Sequence, residues 1–120
     1  MMKFDHLAIP VSDLPRSRDW YVATLGLKVE FEVPDRHSVA LNDSEGFAIF
    51  LHEVSTPIVP SGCALWFQVA DVDRAYAEWS ARGVQFAHAP RKSYWGYGVE
   101  LVDPDGYLVR LWDEASMREK

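Results

Sequence analysis

Cysteine is almost absent from this sequence: Cys63 is the only one among 120 residues. A single thiol cannot form a disulfide within the chain, which excludes a disulfide-stapled scaffold and makes the reducing cytoplasm the expected location. No histidine or acidic residue accompanies Cys63 in a recognisable catalytic pattern. Its position in an apolar run is typical of a small core residue rather than of a nucleophile.

Basic residues are also scarce, since 12 Lys and Arg stand against 18 Asp and Glu and give a formal net charge of −6. With no cluster of Lys or Arg, the sequence disfavours nucleic acid as a partner. Long apolar runs are missing too, so no membrane partner is expected, and MMKFDHLAIPVSD at the N-terminus is too polar for a signal peptide. The acidic balance mildly favours a cationic or neutral small ligand.

What the sequence does contain is one pattern written twice. Apolar residues make up 48% of the chain, enough for the core of one compact domain. The segment from His6 matches the segment from Ala64 at an offset of 58, and DSEGFAIFLH (43–52) matches DPDGYLVRLW (103–112) at an offset of 60. The two halves are therefore predicted to be one duplicated module.

Each half predicts the order β-α-β-β-β, which makes the fold class α+β. A short apolar strand precedes a helix that begins at a capping acid, Asp13 or Asp71, and ends at Gly26 or Gly83. Three strands follow in each half, the last of them entered through a hairpin turn rich in Asp and Gly.

The expected module boundaries are 3–54 and 63–113, joined by a linker at 55–62 within a single domain spanning 1–120. The second module is predicted to place a strand at 84–88, directly after its helix. One module alone cannot bury both faces of its sheet, whereas two together can, which gives a physical reason for the duplication.

Three segments carry a family resemblance: HLAIPVSDLPRSRDWYVATLGLKV, VADVDRAYAEWSARGV and YWGYGVELVDPDGYLV. In this order and spacing they resemble the vicinal oxygen chelate superfamily, which includes glyoxalases, extradiol dioxygenases, fosfomycin-resistance enzymes and bleomycin-resistance-type binding proteins. The resemblance implies two tandem βαβββ modules whose curved mixed sheets surround a cup. It is specific for the fold and does not by itself imply a reaction.

Enzymes of that superfamily hold a divalent metal with His and Glu side chains from the first and last strand of each module. Carried over position by position, the resemblance assigns these places to His6, Phe50, Ala64 and Arg110. Only His6 is a usual ligand, because a phenyl ring and a methyl group have no donor atom and a guanidinium repels a cation. We therefore expect no metal and no other cofactor.

Side chains alternate along a strand, so the face that carries His6 is expected to carry a mixture of rings and polar groups. The opposite face is predicted to be apolar core. A wall of rings with a few polar groups suits a planar or amphipathic small molecule. The candidate ligand-binding residues are His6, Phe50, His52, Trp66, Gln68, Trp95, Arg110 and Trp112.

The loop APRKSYWGYG (89–98) contributes one of these candidates. It resembles the Trp-Gly segment that borders the drug-binding groove of bleomycin-resistance-type proteins. The resemblance departs at Tyr97 and Gly98, where those proteins tend to carry a charged residue, so the ligand of this chain is expected to differ. Ordinary loop packing is the alternative for Tyr94, Trp95 and Tyr97.

Several of these candidate residues also have a structural alternative. His6 is the candidate general base, or else a hydrogen-bonded wall residue left from a metal site. A displaced metal site of His6, His52 and Glu53 is disfavoured because Glu53 has the opposite strand parity.

Arg110 either meets a carboxylate, phosphate or carbonyl on the ligand or forms an internal ion pair with Glu100, Asp113 or another acid. Trp66 and Trp112 could serve as core or dimer-interface rings. His37 and His88 are expected at strand edges in solvent.

These observations favour a metal-independent small-molecule binding protein, a cytoplasmic homodimer that sequesters an antibiotic or another planar aromatic compound. The net charge fits a basic drug, whereas Arg110 on the inward face does not. One alternative is an enzyme of lyase, isomerase or dioxygenase type with a non-standard metal site or with His6 as general base. Another is a structural or regulatory module whose cup is filled by its own side chains.

Overall fold

The computed structural model describes residues 1–117 and shows two modules with the predicted order of elements. The compact units divide between Val59 and Pro60. The first unit contains β1 (His6–Val11), α1 (Leu14–Leu25), β2 (Lys28–Val33), β3 (Ser38–Asn42) and β4 (Ala48–Glu53). The second contains β5 (Ala64–Gln68), α2 (Val72–Ala81), β6 (Arg91–Ser93), β7 (Gly96–Val102), β8 (Leu108–Trp112) and a short α3 (Glu114–Met117).

Each unit builds one four-stranded mixed sheet, with the strand order β1-β4-β3-β2 in the first and β5-β8-β7-β6 in the second. The first and last strands of each module pair in parallel, and the remaining pairs are antiparallel. The α+β class and the duplicated βαβββ topology are therefore confirmed. No described helix has the length and apolar character needed to cross a membrane.

Helix starts are built in the same way in both modules. The side chain of Asp13 accepts a hydrogen bond from the Arg16 amide at 3.1 Å, and Asp71 accepts one from the Arg74 amide at 3.0 Å. Both are N-caps that satisfy an amide left without a partner in the first helical turn. The first helix ends at Gly26, whose φ of 74° lies in the left-handed region that glycine tolerates.

A second carboxylate reinforces each helix start from the end of the last strand. The amide of Leu14 donates to Glu53 Oε2 at 2.8 Å in the first module. In the second, the amide of Val72 donates to Asp113 Oδ2 at 2.7 Å, and Asp113 also accepts from the amide of Ser116 in α3. The repeated acid at this position thus connects the last strand of each module to its helix.

The hairpin turns before β4 and β8 are stabilised in the same way, because in each an aspartate side chain accepts hydrogen bonds from two backbone amides of the turn. Asp43 Oδ1 accepts hydrogen bonds from the amides of Glu45 and Phe47, both at 2.9 Å. Asp103 Oδ1 accepts from the amides two and four residues further on, at 2.9 and 2.8 Å. These side-chain-to-backbone bonds fix the turns and thereby the register of the hairpins that follow.

Strand alternation gives each sheet one apolar face, as predicted. The largest fully buried strand side chains are Val11, Val39, Leu41, Ile49 and Leu51 in the first unit, and Val99, Leu101, Val109 and Leu111 in the second. The small Ala40, paired with Phe50 on the opposite face, is fully buried as well. The apolar set is less uniform at the strand entrances, where Leu7 and Phe47 are exposed and Phe47 stacks on Phe4. Burial therefore concentrates toward the middle of the strands, under the helices.

The strand predicted at 84–88 is wrong. This segment carries no strand, and the short strand β6 forms further on, at Arg91–Ser93. The apolar side chain that suggested a strand, Phe86, packs on Tyr76 and Trp79 of α2, with ring centroids 5.0 and 6.2 Å away. Contact with the helix thus replaces sheet pairing along this segment, apart from one bond from the Ala87 amide to the Glu100 carbonyl.

We predict that Asp113→Ala lowers the free energy of unfolding by about 2 kcal/mol, because it leaves two helix-terminal amides without their acceptor. Asp113 is buried, whereas Glu53 is exposed and water can replace it at the Leu14 amide. The matched variant Glu53→Ala should therefore cost less, about 0.5–1 kcal/mol. Urea unfolding followed by circular dichroism compares the two variants, and equal losses would contradict a special role for the buried cap.

The same residue predicts a pH dependence of stability. Burial of Asp113 would raise the pKa of its carboxyl group, but the hydrogen bonds from the amides of Val72 and Ser116 outweigh burial and lower that pKa. A carboxyl whose pKa is lower in the folded state stabilises the fold above its unfolded pKa, and this contribution is lost as the pH falls through the folded value. Between pH 5 and 2, the stability of Asp113→Asn should fall less steeply than that of the unchanged protein.

Candidate functional site

Three side chains form a row across the open face of the second sheet. Register pairs Trp66 of β5 with Arg110 of β8, and Arg110 with Glu100 of β7. Directly paired residues project to the same side of a sheet, so a ring, a cation and an anion lie next to one another. Backbone pairing alone thus brings the predicted site residues Trp66 and Arg110 together.

Arg110 makes an internal ion pair, and its partner is Glu100. The guanidinium Nε donates to Glu100 Oε2 at 2.7 Å, and both side chains are largely shielded from water. Burial would lower the pKa of Arg110, but its hydrogen bonds to Glu100 and Tyr94 outweigh burial and raise that pKa. The other acid named from the sequence, Asp113, accepts hydrogen bonds from helix amides and does not pair with Arg110.

His88 hydrogen-bonds to Glu100 and thereby extends the pair to a chain of three side chains. Its Nε2 lies 2.8 Å from Glu100 Oε1, so the two carboxylate oxygens face different cations or donors. Burial would raise the pKa of Glu100, but its bonds to Arg110 and His88 outweigh burial and lower that pKa. The expectation that His88 lies in solvent is therefore wrong, because its side chain is only 11% exposed. The hydrogen bond to Glu100 holds the His88 ring against the sheet.

Both ring nitrogens of His88 face oxygen acceptors. Nδ1 lies 2.8 Å from the carbonyl oxygen of Ala89, while Nε2 faces the Glu100 carboxylate. A carbonyl and a carboxylate can only accept, and a neutral imidazole has a single N–H. Donation to both acceptors at once therefore requires the doubly protonated ring.

Three aromatic rings surround the guanidinium of Arg110. Its central carbon lies 5.4 Å from the ring centroid of Trp66, 5.7 Å from Tyr94 and 5.2 Å from Trp95, within the range of cation–π attraction. Trp66 and Trp95 also contact each other edge to face, with centroids 5.0 Å apart. We call Trp66, Tyr94, Trp95 and Arg110 the aromatic cluster.

The aromatic cluster keeps accessible ring surface. Trp66 is 44% exposed and Tyr94 is 90% exposed. The hydroxyl of Tyr94 accepts a hydrogen bond from Arg110 Nη2 at 3.2 Å, which links this exposed ring to the sheet. Exposed rings held next to a charged group can bind a flat molecule by stacking.

Gly98 makes the position of Trp95 possible. A Cβ at Gly98 would lie about 2.5 Å from Cη2 of the Trp95 indole and would also collide with the carbonyl oxygen of Leu111. The indole therefore lies over Gly98 of β7 and occupies the space that a side chain at position 98 would fill. The third ring of the loop, Tyr97, instead donates from its hydroxyl to Asp73 at 2.5 Å, a bond that raises the pKa of Tyr97 to about 12.

Gln68 and Trp112 form the next pair on the same face of β5 and β8. They are directly paired with each other, two residues beyond Trp66 and Arg110. Gln68 is exposed and Trp112 is half-buried. Both stand on the same face as the aromatic cluster, although neither takes part in its ring contacts.

The candidates of the first module lie on one face of the first sheet. His6 stacks on Phe50 with centroids 3.8 Å apart, and Phe31 meets Phe50 edge to face at 5.5 Å. His6 Nδ1 lies 2.7 Å from Asp5 Oδ2. His52 shares this face two residues beyond Phe50 and is paired with Pro10 and Ser38.

The residues present do not fit the metal site that the resemblance implies. Of the four assigned positions, only His6 supplies a donor atom, and Arg110 is committed to Glu100 and to aromatic rings. Glu53 caps α1 and is not turned toward His52, as its strand parity predicted. In residues 1–117, no three His, Cys, Asp or Glu side chains are grouped so as to hold a metal ion.

Sequence reasoning placed Glu100 among the partners of Arg110 but missed His88. A usable signal for Glu100 was the Asp103–Gly106 turn, because a hairpin closed there sets Val102 opposite Leu108 and hence Glu100 opposite Arg110. For His88 no comparable signal exists, since it lies in a segment without strand pairing. The participation of Tyr94 likewise depends on the path of a loop.

Comparison with known proteins identifies the fold family. A model described as the Glyoxalase/Bleomycin resistance protein/Dioxygenase superfamily matches residues 3–111. A search of curated proteins gave no match.

Solved structures agree over nearly the whole chain. TnmS3, an antibiotic binding protein from Streptomyces sp. CB03234, is 26% identical with a TM-score of 0.75, covering 94% of this chain and 96% of that one. A protein from Agrobacterium tumefaciens solved by NMR is 27% identical with a TM-score of 0.72, covering 94% and 98%. The bleomycin-binding protein of Streptomyces verticillus, solved with copper(II)-bleomycin, is 22% identical with a TM-score of 0.74, covering 95% and 99%.

We predict strong energetic coupling between Glu100 and Arg110. In a double-mutant cycle of Glu100→Gln and Arg110→Met, each single change leaves a partly buried charge without its partner, while the double change removes both charges. The coupling free energy from urea unfolding should be about 2 kcal/mol. The fully exposed pair Arg74–Glu78 is the matched control and should show no measurable coupling, so additive effects at Glu100 and Arg110 would refute the prediction.

Proposed function

The chain belongs to the glyoxalase/bleomycin resistance protein/dioxygenase superfamily, and we propose that it acts as a metal-independent binding protein for a small planar or aromatic molecule. The observation that carries the proposal is the aromatic cluster. Three rings are held around one guanidinium on an open sheet face, and two of them keep substantial exposed surface. Exposed rings fixed by a charged group offer stacking area at a low cost in conformational entropy.

Similar proteins support this reading. TnmS3 is described as an antibiotic binding protein, and the Streptomyces verticillus protein was solved with a bleomycin complex. At 22% identity the second likeness speaks for the fold alone, whereas TnmS3, at 26%, adds modest support for ligand capture. We propose the same broad role here, the sequestration of an antibiotic or another planar compound, with the cytoplasm and a homodimer as the expected setting.

The side chains at the family's ligand positions support the proposed metal independence. Phe50 and Ala64 have no donor atom there, and the charge of Arg110 opposes a cation. The proposed binding therefore depends on ring stacking and hydrogen bonds, with no Lewis acid required.

A second candidate function, an enzyme that uses His6 as general base, is favoured by one observation. The Asp5 carboxylate lies 2.7 Å from His6 Nδ1, an arrangement that orients an imidazole and leaves Nε2 for a proton transfer. Asp5 is exposed, which weakens the effect of its charge on the ring.

Metal independence predicts a flat response in thermal unfolding. Mn²⁺, Fe²⁺, Co²⁺, Ni²⁺ and Zn²⁺, added in excess to tag-free protein, should each shift Tm by less than about 1 °C relative to the chelated control. A ligand that binds only the folded state raises stability by mass action, so a saturating shift with one metal would overturn this part of the proposal. Such a result would make a metalloenzyme the leading function.

Ligand binding is predicted to require Trp66. A panel of planar aromatic compounds should include at least one that saturably changes tryptophan fluorescence, and Trp66→Phe should weaken its binding about tenfold by reducing the stacking surface. Trp79→Phe is the matched control, because Trp79 also contacts an arginine but lies on α2. Equal effects of both variants, or no saturable response from any compound, would count against the aromatic cluster as the site.

The two candidate functions are separated by product analysis. Compounds that bind should be recovered unchanged by mass spectrometry after prolonged incubation with the protein. His6→Ala should leave their affinity within about twofold, since His6 lies outside the aromatic cluster. Conversion of a bound compound that is lost in His6→Ala would establish the enzyme instead.

A further inference from the structure

We propose that the aromatic cluster selects a planar aromatic carboxylate, whose ring stacks on the exposed rings while its carboxylate accepts hydrogen bonds from Arg110. This inference rests on the proposed binding function and deepens it by naming the charge and chemical class of the ligand. It runs against the net charge of −6, which on its own favours a neutral or cationic compound. The local environment of Arg110 decides between the two.

The hydrogen-bond inventory of Arg110 leaves donors available. A guanidinium has five N–H groups, one on Nε and two on each terminal nitrogen. Nε is used by Glu100 and one N–H of Nη2 by Tyr94. The remaining three, two of them on Nη1, have no acceptor among residues 1–117.

One terminal nitrogen of Arg110, Nη1, is not fully buried. In the described part of the chain, every fully buried side-chain nitrogen or oxygen has a hydrogen-bond partner, and Nη1 has none. The Arg110 side chain as a whole is 13% exposed, and we infer that a ligand oxygen meets Nη1 through this exposed part.

The remaining donors suit a carboxylate. Nη1 carries two N–H groups of the rigid planar guanidinium, and a carboxylate oxygen can accept a charge-assisted hydrogen bond from them. Glu100 holds the guanidinium from the Nε side and Tyr94 holds Nη2, so the guanidinium is fixed before a ligand arrives. Such preorganisation lowers the entropy cost of binding.

The rings disfavour a cationic ligand. Each ring of the cluster already has the Arg110 guanidinium near its centroid, at 5.2 to 5.7 Å, so a second cation would compete for the same electron-rich ring surface. It would also be repelled by the guanidinium at short range. A ligand anion avoids both costs and gains a charge-assisted hydrogen bond.

The spacing also limits the size of the acid. Since the guanidinium carbon lies 5.2 to 5.7 Å from all three ring centroids, we infer that the preferred acid carries its carboxyl group directly on its ring or very close to it. Trp66 and Tyr94 provide the exposed ring surface on which it would stack. An acid on a long flexible chain would not couple the two contacts in this way.

The test uses three naphthalene compounds that share one ring system and differ in the attached group: 2-naphthoate, 2-naphthamide and 2-naphthylmethylammonium. Dissociation constants are measured by calorimetry at about pH 7.5 and moderate salt on the unmodified protein. We expect 2-naphthoate to bind at least about tenfold more tightly than the ammonium compound, with the amide between them. Raising the salt concentration should weaken the naphthoate complex and leave the amide complex nearly unchanged.

A variant tests whether Arg110 causes the preference. The double variant Arg110→Met/Glu100→Gln removes both charges of the pair together and should bring the ratio of naphthoate to naphthamide affinity to about one, whatever its effect on the affinity for both compounds. If that variant does not fold, ¹⁵N spectra of the arginine side chains in the unmodified protein give the same information. The Arg110 signals should shift with naphthoate and stay nearly constant with naphthamide.

The possible outcomes separate this inference from the proposed function. Ammonium binding as tight as naphthoate binding would overturn the anion preference and leave a binding protein for aromatic compounds. A preference for naphthoate that survives in the double variant, or Arg110 signals that do not respond, would overturn the role of Arg110. Failure of all three compounds to bind would count against the proposed function and this inference together.

Discussion

The bond between a strand-end carboxylate and the first amide of a helix sets where the helix of each module begins relative to its sheet. Glu53 receives the Leu14 amide and Asp113 receives the Val72 amide, so the helix starts where the last strand ends. Because the first and last strands are paired in parallel, this contact closes the connection from β1 or β5 through the turn into the helix. The helix then covers one face of the sheet, and the candidate site residues lie on the other face.

Because one face of each sheet packs under the helix and the other carries the candidate site residues, the two modules keep one architecture and differ in chemistry. The turn aspartates, the capping acids and the buried aliphatic residues serve the same structural roles in both halves. At the matching open-face positions, Phe50 stacks with His6, whereas Arg110 pairs with Glu100 among aromatic rings. The polar candidate site is therefore built where a substitution changes the surface and leaves the core intact.

The sequence carried enough information for the fold and for part of the site. The duplication, the caps at Asp13 and Asp71, and strand alternation are local patterns, and they predicted the topology and the face that bears Arg110. The strand expected at 84–88 failed because Phe86 finds its partners on α2, a tertiary contact that outweighs strand propensity. The contacts of His88 and Tyr94 were not predicted, because they depend on loop paths that bring these residues to Glu100 and Arg110.

The crowding around Gly98 fixes a residue that makes no ring contact or ion pair of its own. A Cβ there would meet both the Trp95 indole and the carbonyl oxygen of Leu111, and the carbonyl belongs to the backbone of the neighbouring strand and cannot turn away. The indole of Trp95 therefore uses a space that is closed to a side chain at this position in any case. The aromatic cluster gains a ring there without displacing one.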